Sequence, residues 1–117
     1  MEEIAVTPLE RHIMKLLVDD EASPLSELEG TMQVVFEYPT RAEAHNRVRK
    51  ALVELIDKGL VQLVYYDPPY HWESRTEIPP AAAGALLADP RSWLHPMDSP
   101  PRQVRAASTD LGRRLFF

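Results

Sequence analysis

The sequence predicts an α+β fold, mostly α, in which a three-helix core leads into two antiparallel strands and a short C-terminal helix. In the first half of the chain, three segments repeat apolar residues at helical spacing. Residues 60–66 then read as a strand. Eight of the eleven prolines fall within residues 67–101, where they exclude the interior of a sheet. We therefore expect one domain over residues 1–117, with a core of 7–66 and 102–117 and a long, partly helical insertion, 67–101, between the two strands.

The first helix is predicted by a capping box. Thr7 is followed three residues later by Glu10, so each side chain can satisfy a free backbone N–H of the first turn. Pro8 suits the first helical position, because its missing N–H needs no partner there. The acidic run 19–21 is expected to end the helix. The predicted buried side of this helix consists of Leu9, Ile13, Leu16 and Leu17.

The second helix is predicted to start at Ser23, where a proline again follows a capping residue. Two leucines, Leu25 and Leu28, are expected to face inward. Gly30 either ends this helix or interrupts it. Residues 31–38 fit helical spacing, but their valines and phenylalanine also favour an extended segment.

The third helix has a signal at each end. Thr40 and Glu43 form a second capping box. Lys58 suits a helix C-terminus, and Gly59 suits the left-handed residue that follows it. The strand 60–66 begins directly afterwards. The expected buried stripe of the helix consists of Ala44, Val48, Leu52, Leu55 and Ile56.

The insertion is expected to be ordered rather than disordered, because disordered segments are usually poor in aromatic residues. Trp72 and Trp93 are predicted to anchor it to the body of the protein. One short helix is predicted at about residues 80–88, with Leu86 and Leu87 packing inward. Residues 102–107 are expected to pair with 60–66, and residues 108–115 to form the last helix, with Leu111 and Leu115 on one side.

The charge of the chain is unevenly distributed. The net charge of −5 argues against generic binding to polyanions. Residues 1–37 hold nine acids and two bases, whereas residues 38–59 hold three acids and five bases, for +2; residues 60–117 hold six of each. The one net-positive segment is therefore the predicted third helix.

Several functional classes find no support in the sequence. There are no cysteines, which excludes disulfides, Cys-based zinc sites and thiol nucleophiles, and makes a cytoplasmic location the default. The four histidines show no metal-ligand spacing, and no phosphate loop or nucleophile elbow is present. We predict no enzyme activity, no cofactor and no metal. No apolar run is long enough to cross a membrane, and the acidic N-terminus does not resemble a secretory signal.

Two segments carry a resemblance to a known family. The helical pattern of residues 47–58 ends in Gly59-Leu60 and enters a strand, and residues 104–107 lead into a Thr-x-x-Gly helix start at Thr109 and Gly112. These features resemble the winged-helix superfamily of DNA-binding domains, and loosely the small bacterial regulators of the MarR and PadR type. The resemblance implies a recognition helix over 41–58 and a two-stranded wing. The long insertion and the acidic first third depart from the family's pattern.

The resemblance implies a DNA-binding transcriptional regulator whose third helix reads the major groove. Arg49 and Asn46 are the candidates for base edges, since Arg pairs with guanine and Asn with adenine. Phosphates would be met by Thr40, Arg41, His45 and Lys50. The alternative is a winged-helix module that binds proteins, not DNA, through its Pro- and Trp-rich insertion. The end of the chain, Leu115-Phe116-Phe117, is apolar, so it either folds back on the core or is covered by a partner subunit. We expect the second arrangement, a homodimer.

Overall fold

The structure is a computed structural model that describes residues 5–95, 97 and 102–116. Within them it is an α+β fold, mostly helical, with five α-helices and one four-stranded antiparallel sheet. The single domain expected over 1–117 therefore extends beyond the described residues. Phe117 of the apolar end and three prolines of the insertion, Pro96, Pro100 and Pro101, also lie outside them.

The first helix, α1 (Pro8–Asp19), confirms the predicted boundaries. The N–H of Glu10 donates to the Thr7 hydroxyl at 3.1 Å, and the N–H of Thr7 donates to the Glu10 carboxylate at 3.0 Å. Of its predicted buried residues, Ile13 and Leu17 are fully buried, whereas Leu9 and Leu16 are half-buried.

The start of the second helix was predicted wrongly. Ser23–Pro24 forms a short strand, β1, and the helix, α2, runs over Leu25–Val35. Ser23 does not cap α2; its hydroxyl donates to the Asp20 carboxylate at 3.3 Å. Gly30 neither ends nor interrupts the helix, which continues through it and resolves the ambiguity of residues 31–38 in favour of a helix up to Val35.

The third helix, α3 (Arg41–Asp57), agrees with its sequence signals. The N–H of Glu43 donates to the Thr40 hydroxyl at 3.1 Å. Gly59 has φ +75°, the left-handed conformation expected of the residue after the helix. The whole predicted stripe is buried, and it meets the buried sides of α1 and α2 in one core that includes Ala44, Val48, Leu52, Leu55, Ile56, Ile13, Leu17 and Leu28.

The sheet contains the predicted pairing and two strands more than predicted. Strand β2 (Val61–Tyr66) pairs antiparallel with β4 (Gln103–Ser108) from Val61↔Ser108 to Tyr66↔Gln103. Strand β1 adds to the far side of β4, and a second two-residue strand, β3 (Thr76–Glu77), adds to the far side of β2, giving the order β1-β4-β2-β3. Both extra strands are two residues long, which is why alternation of apolar residues did not reveal them.

Residues 67–95 of the insertion pack against the core through a helix, α4 (Pro80–Ala88), and through Trp93. Helix α4 lies at the expected position, with Leu87 buried and Leu86 half-buried. A 3₁₀ turn (Pro90–Trp93) follows, and the Trp93 indole N–H donates to the Leu87 carbonyl at 2.9 Å. Trp93 is 8% exposed and belongs to the main core. Trp72 is only half-buried, so Trp93 is the stronger anchor of the two.

The last helix, α5 (Asp110–Phe116), is capped by Thr109, whose hydroxyl accepts from the Gly112 N–H at 3.0 Å and donates to the Gly59 carbonyl at 2.7 Å. Leu111 packs against the core, whereas Leu115 is 44% exposed. Among the described residues, no helix combines the length and the apolar character needed to span a bilayer.

Candidate nucleic-acid interface

The solvent side of α3 carries two of the six predicted site residues without any internal partner. Asn46 and Lys50 are one helical turn apart and both are exposed. Neither side chain forms a hydrogen bond or an ion pair with another described residue. Thr40 is also exposed, but its hydroxyl already caps the first turn of the helix.

Arg41 is held by α2 instead of projecting freely into solvent. Its Nε lies 3.0 Å from the Glu29 carboxylate, and its Nη2 donates to the Ser26 carbonyl at 3.0 Å. The Glu29 side chain is only 8% exposed, and a carboxylate at that depth needs a cation to offset its desolvation. Arg41 therefore serves first as the partner of a buried acid.

Gly30 makes room for this contact. A Cβ at Gly30 would lie 3.3 Å from Nη1 of Arg41, closer than most Cβ contacts, so the guanidinium lies against the backbone of α2. Glycine in a helix costs about 1 kcal/mol relative to alanine. The position of the Arg41 guanidinium gives this glycine a packing role.

His45 is held from two sides. Its Nδ1 lies 3.7 Å from the Glu29 carboxylate, and its ring makes an edge contact with Trp93, at 4.4 Å between ring centroids. The side chain is half-buried. The insertion therefore reaches the N-terminal half of α3 through Trp93, and His45 is not available as a free phosphate contact.

Arg49 lies one turn after His45 and is half-buried, so it occupies a flank of α3 and not the centre of the solvent side. It forms no ion pair with a described residue. Of the two predicted base-reading residues, Asn46 is thus fully accessible and Arg49 partly so.

The positive charge of residues 38–59 is smaller at the surface than in the sequence. The net charge of +2 of this segment is offset by two acids from outside it, since Glu29 pairs with Arg41 and Glu10 pairs with Lys58. Within α3, Arg47 also approaches Glu43, at 3.8 Å. The cations of α3 without a carboxylate partner among the described residues are Arg49 and Lys50.

Glu29 and Gly30 were missed by sequence reasoning, although one signal was present. Leu25, Leu28, Glu29 and Met32 recur at helical spacing, so Glu29 occupies a position that the apolar stripe of α2 assigns to the core. A carboxylate inside an apolar stripe indicates a buried partner of opposite charge, and Arg41 is that partner.

A second cluster covers the outer face of β2 and β4. The Arg105 guanidinium stacks over the Tyr66 ring at 4.5 Å, and Arg75 stacks over Trp72 at 3.8 Å, with the two aromatic rings 6.4 Å apart. The Tyr66 hydroxyl donates to the Glu21 carboxylate at 3.3 Å. Burial, followed by the negative charge of Glu21, raises the pKa of Tyr66 to about 12. Tyr66 is 2% exposed, so this ring is used inside the molecule and offers no stacking surface to a base.

Comparison with known proteins gives no family. No protein-family model matches the chain, and no curated protein or solved structure is significantly similar to it.

Proposed function

We propose that the chain is a winged-helix domain that binds double-stranded DNA, with α3 in the major groove. The observation that carries the proposal is the accessible strip of α3, where the side chains of Asn46 and Lys50 lie one turn apart without a partner in the described part of the chain and Arg49 flanks them. An amide that pairs with adenine beside cations that meet guanine or phosphate is the chemistry of major-groove recognition. In this proposal the protein regulates transcription as a homodimer, which supplies two half-sites.

The arrangement of elements supports the same proposal. Helices α2 and α3 are joined by a short turn, and α3 leads directly into the β2–β4 pair, the order in which a winged helix presents its recognition helix and wing. In this proposal β1 completes the wing sheet at the β4 edge. The six candidate residues then reduce to three that contact DNA in the folded state, Asn46, Arg49 and Lys50.

The test is a fluorescence anisotropy titration with mixed genomic duplexes at several salt concentrations. Lys50→Gln is expected to reduce the slope of log K against log[salt] by about one unit, because one phosphate contact is lost. Lys15→Gln is the matched control, since Lys15 is an exposed cation on α1 that forms no ion pair with a described residue. Equal effects of the two variants, or binding weaker than about 10⁻⁴ M at physiological salt, would contradict the proposal.

A separate measurement tests whether Asn46 and Arg49 contact base edges. After selection of a preferred duplex, Asn46→Ala or Arg49→Ala is expected to weaken its binding by about 1–3 kcal/mol and to relax preference at one base position. A variant that weakens all duplexes equally would assign its side chain to the phosphates instead.

A protein-binding module remains the second candidate, because the insertion exposes apolar side chains. Leu94 is 42% and Met97 is 88% exposed, whereas Trp93 is buried and Trp72 is half-buried. Docking in this proposal uses Leu94 and Met97. Leu94→Ser together with Met97→Ser would then abolish partner binding and leave any DNA affinity unchanged, which separates the two candidates.

A further inference from the structure

We infer that Glu29 limits the DNA affinity of α3 by neutralising Arg41, so that the acid acts as an internal competitor of a DNA phosphate. The inference rests on the proposed function and concerns a residue on α2, outside the strip that would touch DNA. It assigns to Glu29 a specific effect on phosphate binding, beyond its contribution to packing.

The contact occupies the Nε–Nη2 edge of Arg41, which is one of the two guanidinium edges that can bind a phosphate. A guanidinium binds phosphate best through two parallel N–H donors. Here Nε is paired with Glu29 and Nη2 with the Ser26 carbonyl, so that edge is occupied. Because 54% of the Arg41 side chain is exposed, DNA can approach it, but it meets a cation whose charge is already compensated.

The surroundings of Glu29 keep this arrangement in place. Glu29 is buried among α2 and α3, and Gly30 admits the guanidinium at 3.3 Å from its ideal Cβ position. His45 adds a second contact to the same carboxylate at 3.7 Å. One acid therefore contacts two of the four residues that the sequence assigned to phosphates, and removing its charge leaves the positive charge of Arg41 uncompensated.

The test compares Glu29→Gln with Glu27→Gln in the same anisotropy titration. Glutamine retains the size and the hydrogen-bonding oxygen of Glu29, while the positive charge of Arg41 is no longer compensated. Glu29→Gln is expected to steepen the salt slope by about 0.9 and to raise affinity about fivefold to tenfold at 0.1 M salt, as one additional phosphate contact would. Glu27 lies on the same helix, is exposed and forms no ion pair with a described residue, so its substitution changes the net charge equally without affecting Arg41.

A double variant isolates the proposed partner. In an Arg41→Gln background, Glu29→Gln is expected to leave the salt slope unchanged, because no guanidinium remains to be released. The single variant Arg41→Gln is also expected to bind DNA like the parent. This variant tests the inference even if Glu29→Gln does not fold. A thermal melt establishes folding for each protein. A loss of one slope unit in Arg41→Gln would overturn the inference.

The remaining outcomes separate this inference from the proposed function. Equal gains in Glu29→Gln and Glu27→Gln would overturn it, since bulk charge would then explain the effect. Weaker binding by a folded Glu29→Gln would also overturn it, and would make Glu29 a positioning residue for Arg41. If the parent binds DNA through Lys50 and neither acid matters, only the inference fails. If neither the parent nor any variant binds DNA, the proposed function fails first and the inference with it.

Discussion

The insertion and α3 compensate their arginines in different ways. In the insertion the acid is a near neighbour in sequence for Arg75 with Glu77 and for Arg91 with Asp89. In α3 the most enclosed partners come from other helices, since Arg41 pairs with Glu29 of α2, and Lys58, just after α3, pairs with Glu10 of α1. Local pairs leave a surface neutral without joining elements, whereas pairs between helices also fix how those helices pack.

Burial distinguishes the two kinds of pair further. The Asp89–Arg91 pair lies at the surface, where its hydrogen bonds lower the pKa of Asp89 and raise that of Arg91. The acids that meet Arg41 and Lys58 are 8% and 5% exposed. Removing one partner from a buried pair leaves an uncompensated charge, so the interhelical pairs are expected to matter more for folding.

The largest expected effect tests whether the two regions fold as one unit. Leu52 of α3 and Leu87 of α4 are both buried in the same core. Truncation of either to alanine is expected to lower the free energy of unfolding by about 2–5 kcal/mol. Thermal melts followed by both near- and far-ultraviolet circular dichroism should show a single shifted transition for each variant. A second transition in Leu87→Ala alone would mean that the insertion unfolds independently.

An intermediate effect is expected at the interhelical pair. Arg41→Ala leaves the Glu29 carboxylate buried without its guanidinium partner and should cost about 2–3 kcal/mol. Arg91→Ala, its counterpart in the insertion, removes a surface pair and should not measurably change the urea midpoint. Equal shifts in the midpoints of the two variants would remove the distinction between local and interhelical pairs.

The smallest expected effect on stability concerns Tyr66, which lies where the insertion meets the sheet, and it appears only at alkaline pH. Its pKa in the folded protein, about 12, is above the ordinary value of 10, so its contribution is complete below pH 10 and is lost as the pH rises from 10 to 12. Tyr66→Phe cannot ionise there, so its stability should fall less over that interval. Parallel urea midpoints for parent and variant would contradict this account of the alkaline range.

The fold was largely predictable where the signal is local. Caps at Thr7 and Thr40, the glycine at 59 and the strand that follows it each depend on a few adjacent residues, and all were confirmed. The two-residue strands β1 and β3 were missed, because such short segments have no periodicity and form only when a neighbouring strand supplies the hydrogen bonds.

The candidate site was less predictable, because its charged residues pair with residues that are far away in the sequence. Counting charges over 38–59 gave a positive segment, but Glu10 and Glu29, from outside that segment, cancel its excess. The sequence assigned Arg41 and His45 to DNA phosphates without showing that α2 and Trp93 would contact them. Asn46 and Lys50 remained accessible because their side of α3 faces neither α2 nor the core.

The register of β2 and β4 has a consequence for the modularity of the chain. Tyr66 and Gln103 are opposite each other, and the Asp67–Arg102 ion pair, with oxygen and nitrogen 3.0 Å apart, joins the two ends of the intervening segment. Chain connectivity would therefore permit excision of that segment and closure by a two-residue hairpin turn. Packing opposes it, because Ile78, Leu87 and Trp93 are part of the main core and their loss would uncover it. The chain could therefore be reconnected without this segment, but the shortened protein would be destabilised. It would need other apolar side chains to cover the exposed part of the core.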